Sequence, residues 1–563
     1  MSRIASAGAV GLGACVGLGV LALLALARFS EEAPLPWRAG PGWPSPAPSS
    51  PLRVRIDRAR PPVATIDDRF LSFAVDTAEV VGGEFWAPRE AERGLLGTQR
   101  VASYDFSRPR LRRLAGALAP AYLRVGGTDA DRTVYSLTSG RQTSGNSSGE
   151  LPRGARAVLT AERWDAVNAF ARELDLRIVF TLNAGPSARD AEGAWDPESA
   201  RGLIAYSQAR HDPVAVWELG NEINLFPLTH LRWVGAARYA ADLRRARTLL
   251  DSLGAPGLLA GVGSAFWPVL GEGRALTEDT LRAAGDVLDI VTWHYYPQQS
   301  HRCPLATRRA DLRRTVSPAR LGELDRWARQ VEGEVRAHAP RASVWLGETA
   351  SAQCGGEPGI SNTFADALWW LDELGRLARR GEQVVIRQTL SGSDYGLIDD
   401  ATLEPNPSYW ASWLWRRLMG TRVLAVDVAP LSPVLGAYAH CLRSEGPGGG
   451  AADGGVVLLL MNLHPTSPIA IALDLDGGGS PGARVLRFDA EGLGSRHARL
   501  DGHVLSIETI DSTGSSAAGG GFPIPLRVPS PRGGDPLAGG SLSLPPESVT
   551  FVALPAADFP ACR

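Results

Sequence analysis

The chain contains no lysine: apart from histidine, all 58 of its basic residues are arginines. That absence removes Schiff-base chemistry and the lysine of a phosphate-binding P-loop from consideration. An excess of charge is missing as well, since 58 basic side chains face 60 acidic ones and the formal net charge is −2. Nucleic acid therefore has no electrostatic case as a partner, although a basic patch confined to a cleft stays open. Cysteine is sparse, with five in 563 residues. One of these, Cys15, lies in an uncharged, mostly apolar run from Ile4 to Ala27 that Arg28 closes. Residues 1–29 read either as a membrane anchor long enough to span a bilayer or as an export signal cleaved after Ala25-Leu26-Ala27. Leu12-Gly13-Ala14-Cys15 is only loosely a lipoprotein box, because the apolar run continues past the cysteine. Both main readings place the rest of the protein outside the cytoplasm: periplasmic, extracellular or held at the membrane by its N-terminus. In that oxidising setting Cys303, Cys354, Cys441 and Cys562 allow three pairings, with four free thiols as the alternative.

Residues 30–50 are rich in Pro, Gly and Ser and form an extended tether. The remaining length exceeds one core, so a large domain and a smaller one are expected. Strand-like apolar runs fall at 70–75, 121–125, 177–183, 214–219, 257–262, 288–294, 343–346 and 384–389. Segments with helical spacing lie between them, for example 161–174, 231–253, 319–337 and 363–380. Eight strands alternating with helices predict a (β/α)8 TIM barrel over 62–420. An open doubly wound sheet would need a Gly-rich turn after its first strand, where this chain has Asp76-Thr77-Ala78. From 421 to 563 the texture changes to short strand-like runs at 422–428, 435–441, 455–463, 469–475, 483–488 and 548–554. Gly-rich tracts such as 448–450 and 519–521 punctuate them, and the pattern predicts a C-terminal β-sandwich. The segment 51–61 is expected to supply it with one further strand.

Two of the barrel runs end abruptly on a carboxylate: Trp217-Glu218-Leu219-Gly220-Asn221-Glu222 and Trp345-Leu346-Gly347-Glu348-Thr349. Barrel enzymes keep their chemistry at the C-terminal ends of the strands. Glutamates on the fourth and seventh strands would face each other across the mouth, as acid-assisted cleavage of a glycosidic bond requires. Either glutamate alone also reads as a helix N-cap or a salt-bridge partner, and for a lone Asn-Glu pair that is the better reading, so the two together carry the inference. Glu222 is expected to protonate the leaving group and Glu348 to attack the anomeric carbon, with no cofactor and no metal ion.

Further blocks, in order, are Ala121-Tyr122-Leu123-Arg124-Val125-Gly126-Gly127-Thr128, Val291-Thr292-Trp293-His294 leading to Tyr296, Val344 to Ala352, Arg387-Gln388, Tyr395 and Tyr409-Trp410. With the two carboxylate motifs they resemble the heparanase-like hydrolases, glycoside hydrolase family 79 of the four/seven retaining clan, from about Phe70 to the C-terminus. The resemblance implies a retaining enzyme acting on β-linked glucuronic acid in an oligo- or polysaccharide, with heparan-type chains as one candidate. It implies that Asn221 binds the sugar 2-hydroxyl and that Tyr296 orients Glu348. It adds Asp76, Thr128 and Gln388 as substrate contacts, and it gives the uronate carboxylate to the backbone of Gly355 and Gly356 and to Tyr395. A Cys441–Cys562 disulfide is implied at matching positions.

The chain departs from the vertebrate pattern twice. Cys354 stands where those enzymes have glycine; Cys303 and Cys354 follow neighbouring strands six and seven, and pairing them would account for the remaining thiols. Between Tyr135 and Thr160 there is a short polar loop, 136–152, without lysines, which is similar to the single-chain microbial branch without proteolytic activation. Asn146-Ser147-Ser148 matches a glycosylation sequon by pattern alone. A monomer is expected. The competing readings are another four/seven retaining hydrolase, such as a β-xylosidase or arabinofuranosidase, and a surface glycan-binding protein without catalysis.

Overall fold

The computed structural model describes residues 50–87, 97–137, 151–443, 451–476, 482–508 and 541–563. The N-terminal apolar run, most of the tether, the sequon and both Gly-rich tracts lie outside them. Among the described residues no helix is long and apolar enough to cross a membrane.

Eight parallel strands close into a barrel: β1 (Leu71–Asp76), β2 (Ala121–Gly126), β3 (Leu176–Leu182), β4 (Val216–Leu219), β5 (Leu258–Phe266), β6 (Ile290–Tyr295), β7 (Ser343–Thr349) and β8 (Val384–Arg387). Each pairs in parallel with its sequence neighbours, and β8 returns to β1 through Val385↔Leu71. Helices follow the strands in turn, Pro109–Gly116, Ala161–Glu173, Glu198–Ala209, Ala236–Leu253, Leu276–Ala284, Leu324–His338, Phe364–Arg380 and Pro407–Leu418. The fold is the (β/α)8 barrel that the alternation predicts.

Side chains alternate across a strand, so every second residue points into the barrel. The lower interior is filled by Ala74, Tyr122, Val179, Val216, Ala260, Ile290, Trp345, Val384 and Ile386, contributed by all eight strands. Tyr122 and Trp345 meet at its centre with ring centroids 4.8 Å apart. This apolar plug makes the barrel a packed core rather than a pore, and chemistry is confined to the layers above it.

The C-terminal part is built from two sheets. The larger runs, in spatial order, through Ala64–Thr65, Met419–Leu424, Leu435–Arg443, Ala451–Asn462, Ser548–Leu554, Arg484–Ala490, Ala498–Leu500 and His503–Val504. The smaller holds Asp427–Ala429, Leu52–Arg55, Ile469–Asp474 and Leu542–Leu544. Leu52–Arg55 pairs in parallel with Ile471–Asp474, which ties the start of the described chain into the sandwich. Helix Phe364–Arg380 is buried along nearly its whole length because it lies between the two parts. On it, Asp372 accepts a hydrogen bond from Tyr438 of the sandwich at 2.6 Å. Gly375 leaves the room for that tyrosine, since a Cβ there would come within 2.5 Å of the ring.

Candidate active site

Two residues beyond the plug on their strands, the inward side chains turn polar: Arg124 on β2, Thr181 on β3, Glu218 on β4 and Thr292 on β6, all buried. Arg124 donates from Nε and Nη2 to Glu218 Oε2 at 2.9 and 2.8 Å. The hydroxyls of Thr181 and Thr292 donate to the same carboxylate at 2.7 and 2.9 Å. Burial alone would raise the Glu218 pKa, but the Arg124 guanidinium, His294 and the Thr181 hydroxyl outweigh it and hold the carboxyl below its ordinary value. The pair is stable in the interior because its charge is matched and its lone pairs are served.

Arg124 also reaches upward. Its Nη1 donates to Glu348 Oε2 at 2.7 Å and its Nη2 to Asn221 Oδ1 at 2.8 Å. One buried guanidinium therefore connects the ends of β4 and β7. The other Glu348 oxygen accepts from the Tyr296 hydroxyl at 2.6 Å. Burial pushes the Glu348 pKa up, but His294, Arg124 and Tyr296 together pull it below the ordinary carboxylate value.

Glu222 lies in a tight turn after β4, where Gly220 has φ +73° and Glu222 itself φ +53°. A non-glycine residue in that region is strained and needs outside support. The support comes from the Glu222 N–H, bonded to Gly263 O at 3.0 Å, and from the Asn221 N–H, bonded to Asp131 Oδ2 at 2.8 Å. His294 Nδ1 stands 3.2 Å from Glu222 Oε1. Burial raises the Glu222 pKa; the His294 contact opposes that shift, and the neighbouring Glu348 charge adds to it. The two glutamates thus share one site with their pKa values driven apart, as an acid and an ionised nucleophile need.

One oxygen of each glutamate and a nitrogen of His294 all lie within 4.8 Å of one another. Carboxyl groups about 5–5.5 Å apart suit direct attack and a covalent intermediate, whereas wider pairs leave room for a water. By count the same three side chains could ligate a cation. The Arg124 guanidinium already occupies one Glu348 oxygen at 2.7 Å, so the donor set suits proton transfer and nucleophilic attack better.

The other expected residues line the same mouth. Asp76 ends β1, caps the following helix through the Ala78 N–H at 2.9 Å and accepts from Gln388 Nε2 at 3.2 Å. Burial, with Asp129 and Glu348 nearby, pushes its pKa up to about 8 against the Ala78 hydrogen bond. Gly127, with φ +96°, lets the chain pass Asp76 so closely that a Cβ would lie 2.1 Å from its Oδ2. Thr128, half-buried, opens the next turn. Tyr395 is buried against Phe85, with ring centroids 6.4 Å apart. Cys354, Gly355 and Gly356 form a turn with φ of +64°, +83° and +79°. Cys354 is bonded to Cys303, with Cα atoms 5.5 Å apart, and Cys441 is bonded to Cys562.

Arg124, His294 and Glu218 stand in the motifs quoted from the sequence, yet sequence reasoning gave them no role. The available signal was a charged residue inside an otherwise apolar strand, which is rarely buried unless paired. Asp131 and Thr181 carried no comparable signal, because the loop and strand around them read as ordinary.

Comparison with known proteins agrees with this geometry. The family described as "Glycosyl hydrolase family 79, N-terminal domain" matches residues 58–375, more than half of the chain. Heparanase of Bos taurus is 28% identical over 544 residues, covering 89% of this chain and 91% of its own. Baicalin-beta-D-glucuronidase of Scutellaria baicalensis is 28% identical over 480 residues, 79% and 84% of the two chains. Human "Inactive heparanase-2" is 29% identical over 421 residues, 72% and 66%. In fold, the family 51 α-L-arabinofuranosidase from Thermotoga petrophila superposes with a TM-score of 0.59 at 14% identity, covering 89% of this chain and 99% of that one. The protein is a retaining-type glycoside hydrolase, and the chain belongs to glycosyl hydrolase family 79.

Proposed function

We propose that the protein is an exported retaining β-glucuronidase with Glu222 as acid/base and Glu348 as nucleophile. The observation that carries the mechanism is the pair of buried carboxyls within 4.8 Å whose pKa values move in opposite directions. Glu348, ionised and held by Arg124 and Tyr296, attacks C1 while Glu222 passes its proton to the departing oxygen. The resulting glycosyl ester is opened by a water that the now ionised Glu222 deprotonates, so the anomeric configuration is retained. Asn221, with its carbonyl turned to Arg124, offers its amide to the sugar 2-hydroxyl.

The glucuronide rests on two supports. A relative named for cleaving a glucuronide covers most of the chain. The Gly355–Gly356 turn also offers backbone N–H groups that find no acceptor among the described residues, next to the Tyr395 phenol. Such a turn suits a carboxylate without needing a lysine. Asp76, Thr128 and Gln388 would hold the remaining ring hydroxyls. Export is supported by the N-terminal sequence and by four cysteines held in two disulfides. We assign catalysis to residues 62–420, and to 421–563 with 51–61 a sandwich that braces the barrel, in a chain acting as a monomer.

Purified protein assayed on chromogenic β-glucuronide, β-xyloside and β-glucoside tests the reading. Turnover is expected to be highest on the glucuronide, with the glucoside cleaved only slowly. It should fall by several orders of magnitude in Glu348→Gln, while Glu222→Gln loses most on poor leaving groups, which need the proton. Turnover of the xyloside in its place would move the protein to the pentosidases. No turnover of any glycoside would favour a binding role; one relative is itself named inactive.

A further inference from the structure

Cys354 has φ +64°, a conformation a β-substituted residue adopts only when its surroundings impose it. Those surroundings are mostly one segment. The chain at 298–303 runs beside the turn: Gln299 bridges Gln353, Ser300 N–H donates to Gln353 O at 3.1 Å, and Gln353 N–H donates to Gln298 O at 2.9 Å. His301 N–H bonds Glu357 Oε2 at 2.7 Å beyond the turn. Between these contacts, Arg302 Nη1 donates to Gly356 O at 2.7 Å and Cys303 is joined to Cys354. The Arg302 side chain is 1% exposed, and its charge is matched by Asp394.

From the opposite side, Asp394 N–H and the Ser393 hydroxyl both donate to Gly355 O at 2.9 Å. A trans peptide is planar, so its C=O and N–H point opposite ways. Gripping the Gly355 carbonyl therefore turns the Gly356 N–H away from Ser393 and Asp394. The Gly355 N–H shares its plane with the Cys354 carbonyl, next to the disulfide, while Arg302, through the Gly356 carbonyl, fixes the plane of the Glu357 N–H, which donates to Ser361 Oγ at 2.9 Å. There is no slack in the turn, because a Cβ on Gly355 would meet Trp86 at 2.5 Å and one on Gly356 would meet Tyr395 N at 2.7 Å. Donors to a carbonyl also polarise the peptide and strengthen its N–H.

We propose that Arg302 and Cys303 are positioning residues for substrate specificity: the Cys303–Cys354 bridge holds the near end of the turn, and Arg302 holds its far end at Gly356 O together with Asp394, whose N–H grips Gly355 O, so that the Gly355 and Gly356 N–H groups stay directed at the sugar carboxylate and recognition of acidic sugars depends on that bridge. This rests on the glucuronide reading and adds to it the parts that set the preference. Neither residue touches the reacting atoms, so the clamp acts on binding of the carboxylate and not on bond cleavage.

The test compares wild type, Cys303→Ser and Arg302→Gln on 4-nitrophenyl β-D-glucuronide and on the neutral 4-nitrophenyl β-D-glucoside. KM for the glucuronide should rise about tenfold in both variants, the order expected for a misaimed hydrogen bond to a charged group. kcat should stay within about twofold, and kcat/KM on the glucoside should be unaltered. If a variant does not fold, mild reduction of the wild type, followed by mapping of the cysteines that alkylate, gives the same readout on the native sequence. A wild-type glucuronidase whose KM ignores both variants and reduction, or variants that lose kcat equally on both substrates, overturns the clamp. A wild type that cleaves the glucoside and not the glucuronide overturns the glucuronide reading itself, and the carboxylate role of the turn with it.

Discussion

Tyr296 donates to Glu348 at 2.6 Å and is one of the groups that hold that carboxyl below its ordinary pKa. Tyr296→Phe removes the donor and leaves the ring. The ionised form of Glu348 is then less favoured, so its pKa rises. On the proposed assignment the Glu348 nucleophile and the Glu222 acid set the two limbs, and because the nucleophile must be ionised, the acid limb of kcat/KM should move to higher pH by about one unit, the scale of one hydrogen bond to a charge. The alkaline limb reports loss of the Glu222 proton and should stay nearly in place. A pH–rate profile with an unmoved acid limb would count against Glu348 as nucleophile. Glu222 and Glu348 could be singled out from the sequence only as a pair, because carboxylates after the fourth and seventh apolar strands of one barrel face a common mouth. Arg124 could not, although it touches Glu218, Asn221 and Glu348. A buried arginine is intelligible only beside its partners, and those lie on two other strands.

At the level of elements, all eight barrel strands were legible because buried parallel strands read as plain apolar runs. Their ends were less so. The run at 257–262 continues to Phe266, since a register shift between Val262 and Ser264 carries β5 past the glycine that seemed to stop it. The helix expected from 231 starts only at Ala236, because Leu231 has φ +51° and Gly235 caps the helix. The single strand expected at 422–428 is two, Met419–Leu424 in the large sheet and Asp427–Ala429 in the small one. No Gly or Pro marks that crossing. The hairpin Ala498–Leu500 with His503–Val504 has too little apolar pattern to announce itself. The last strand, Ser548–Leu554, is fully buried, and Cys562 just beyond it is joined to Cys441 across 121 residues. In the chain-entropy view, closing a loop of that length is worth about 4–5 kcal/mol. Cys441→Ser should therefore lower the unfolding free energy by an amount of that order in denaturant titration, with KM for a glycoside unchanged. A loss below about 1 kcal/mol would mean the terminal strand is held without the bridge.

For the whole molecule, the buried acids set the response to pH. Burial pushes Asp131 and Glu272 up to about 7 and Asp76 and Glu382 up to about 8. Each keeps its proton in the folded state at pH values where the unfolded chain has lost it. Their stabilisation is complete below the ordinary carboxylate range and is lost as pH rises towards 7–8. Glu218 and Glu348 act in the opposite sense, since their lowered pKa values withdraw stability only as pH falls below that range. The two sets together place maximal stability on the acidic side of neutrality, with a decline through pH 8. Glu382 offers a clean test, being far in role from the chemistry. Its Oε2 accepts from Trp293 Nε1 at 3.2 Å, its Oε1 has no partner, and Glu332 raises its pKa against the pull of Arg380. Glu382→Gln keeps the acceptor and removes the ionisation. Its melting temperature should fall less than that of wild type between pH 6 and 8, with the two curves converging in shape below pH 5. Parallel curves across that range would show that Glu382 is already ionised in the folded protein, and the acid-side optimum would then have to come from the other buried carboxyls with raised pKa values, Glu79 and Glu373 among them.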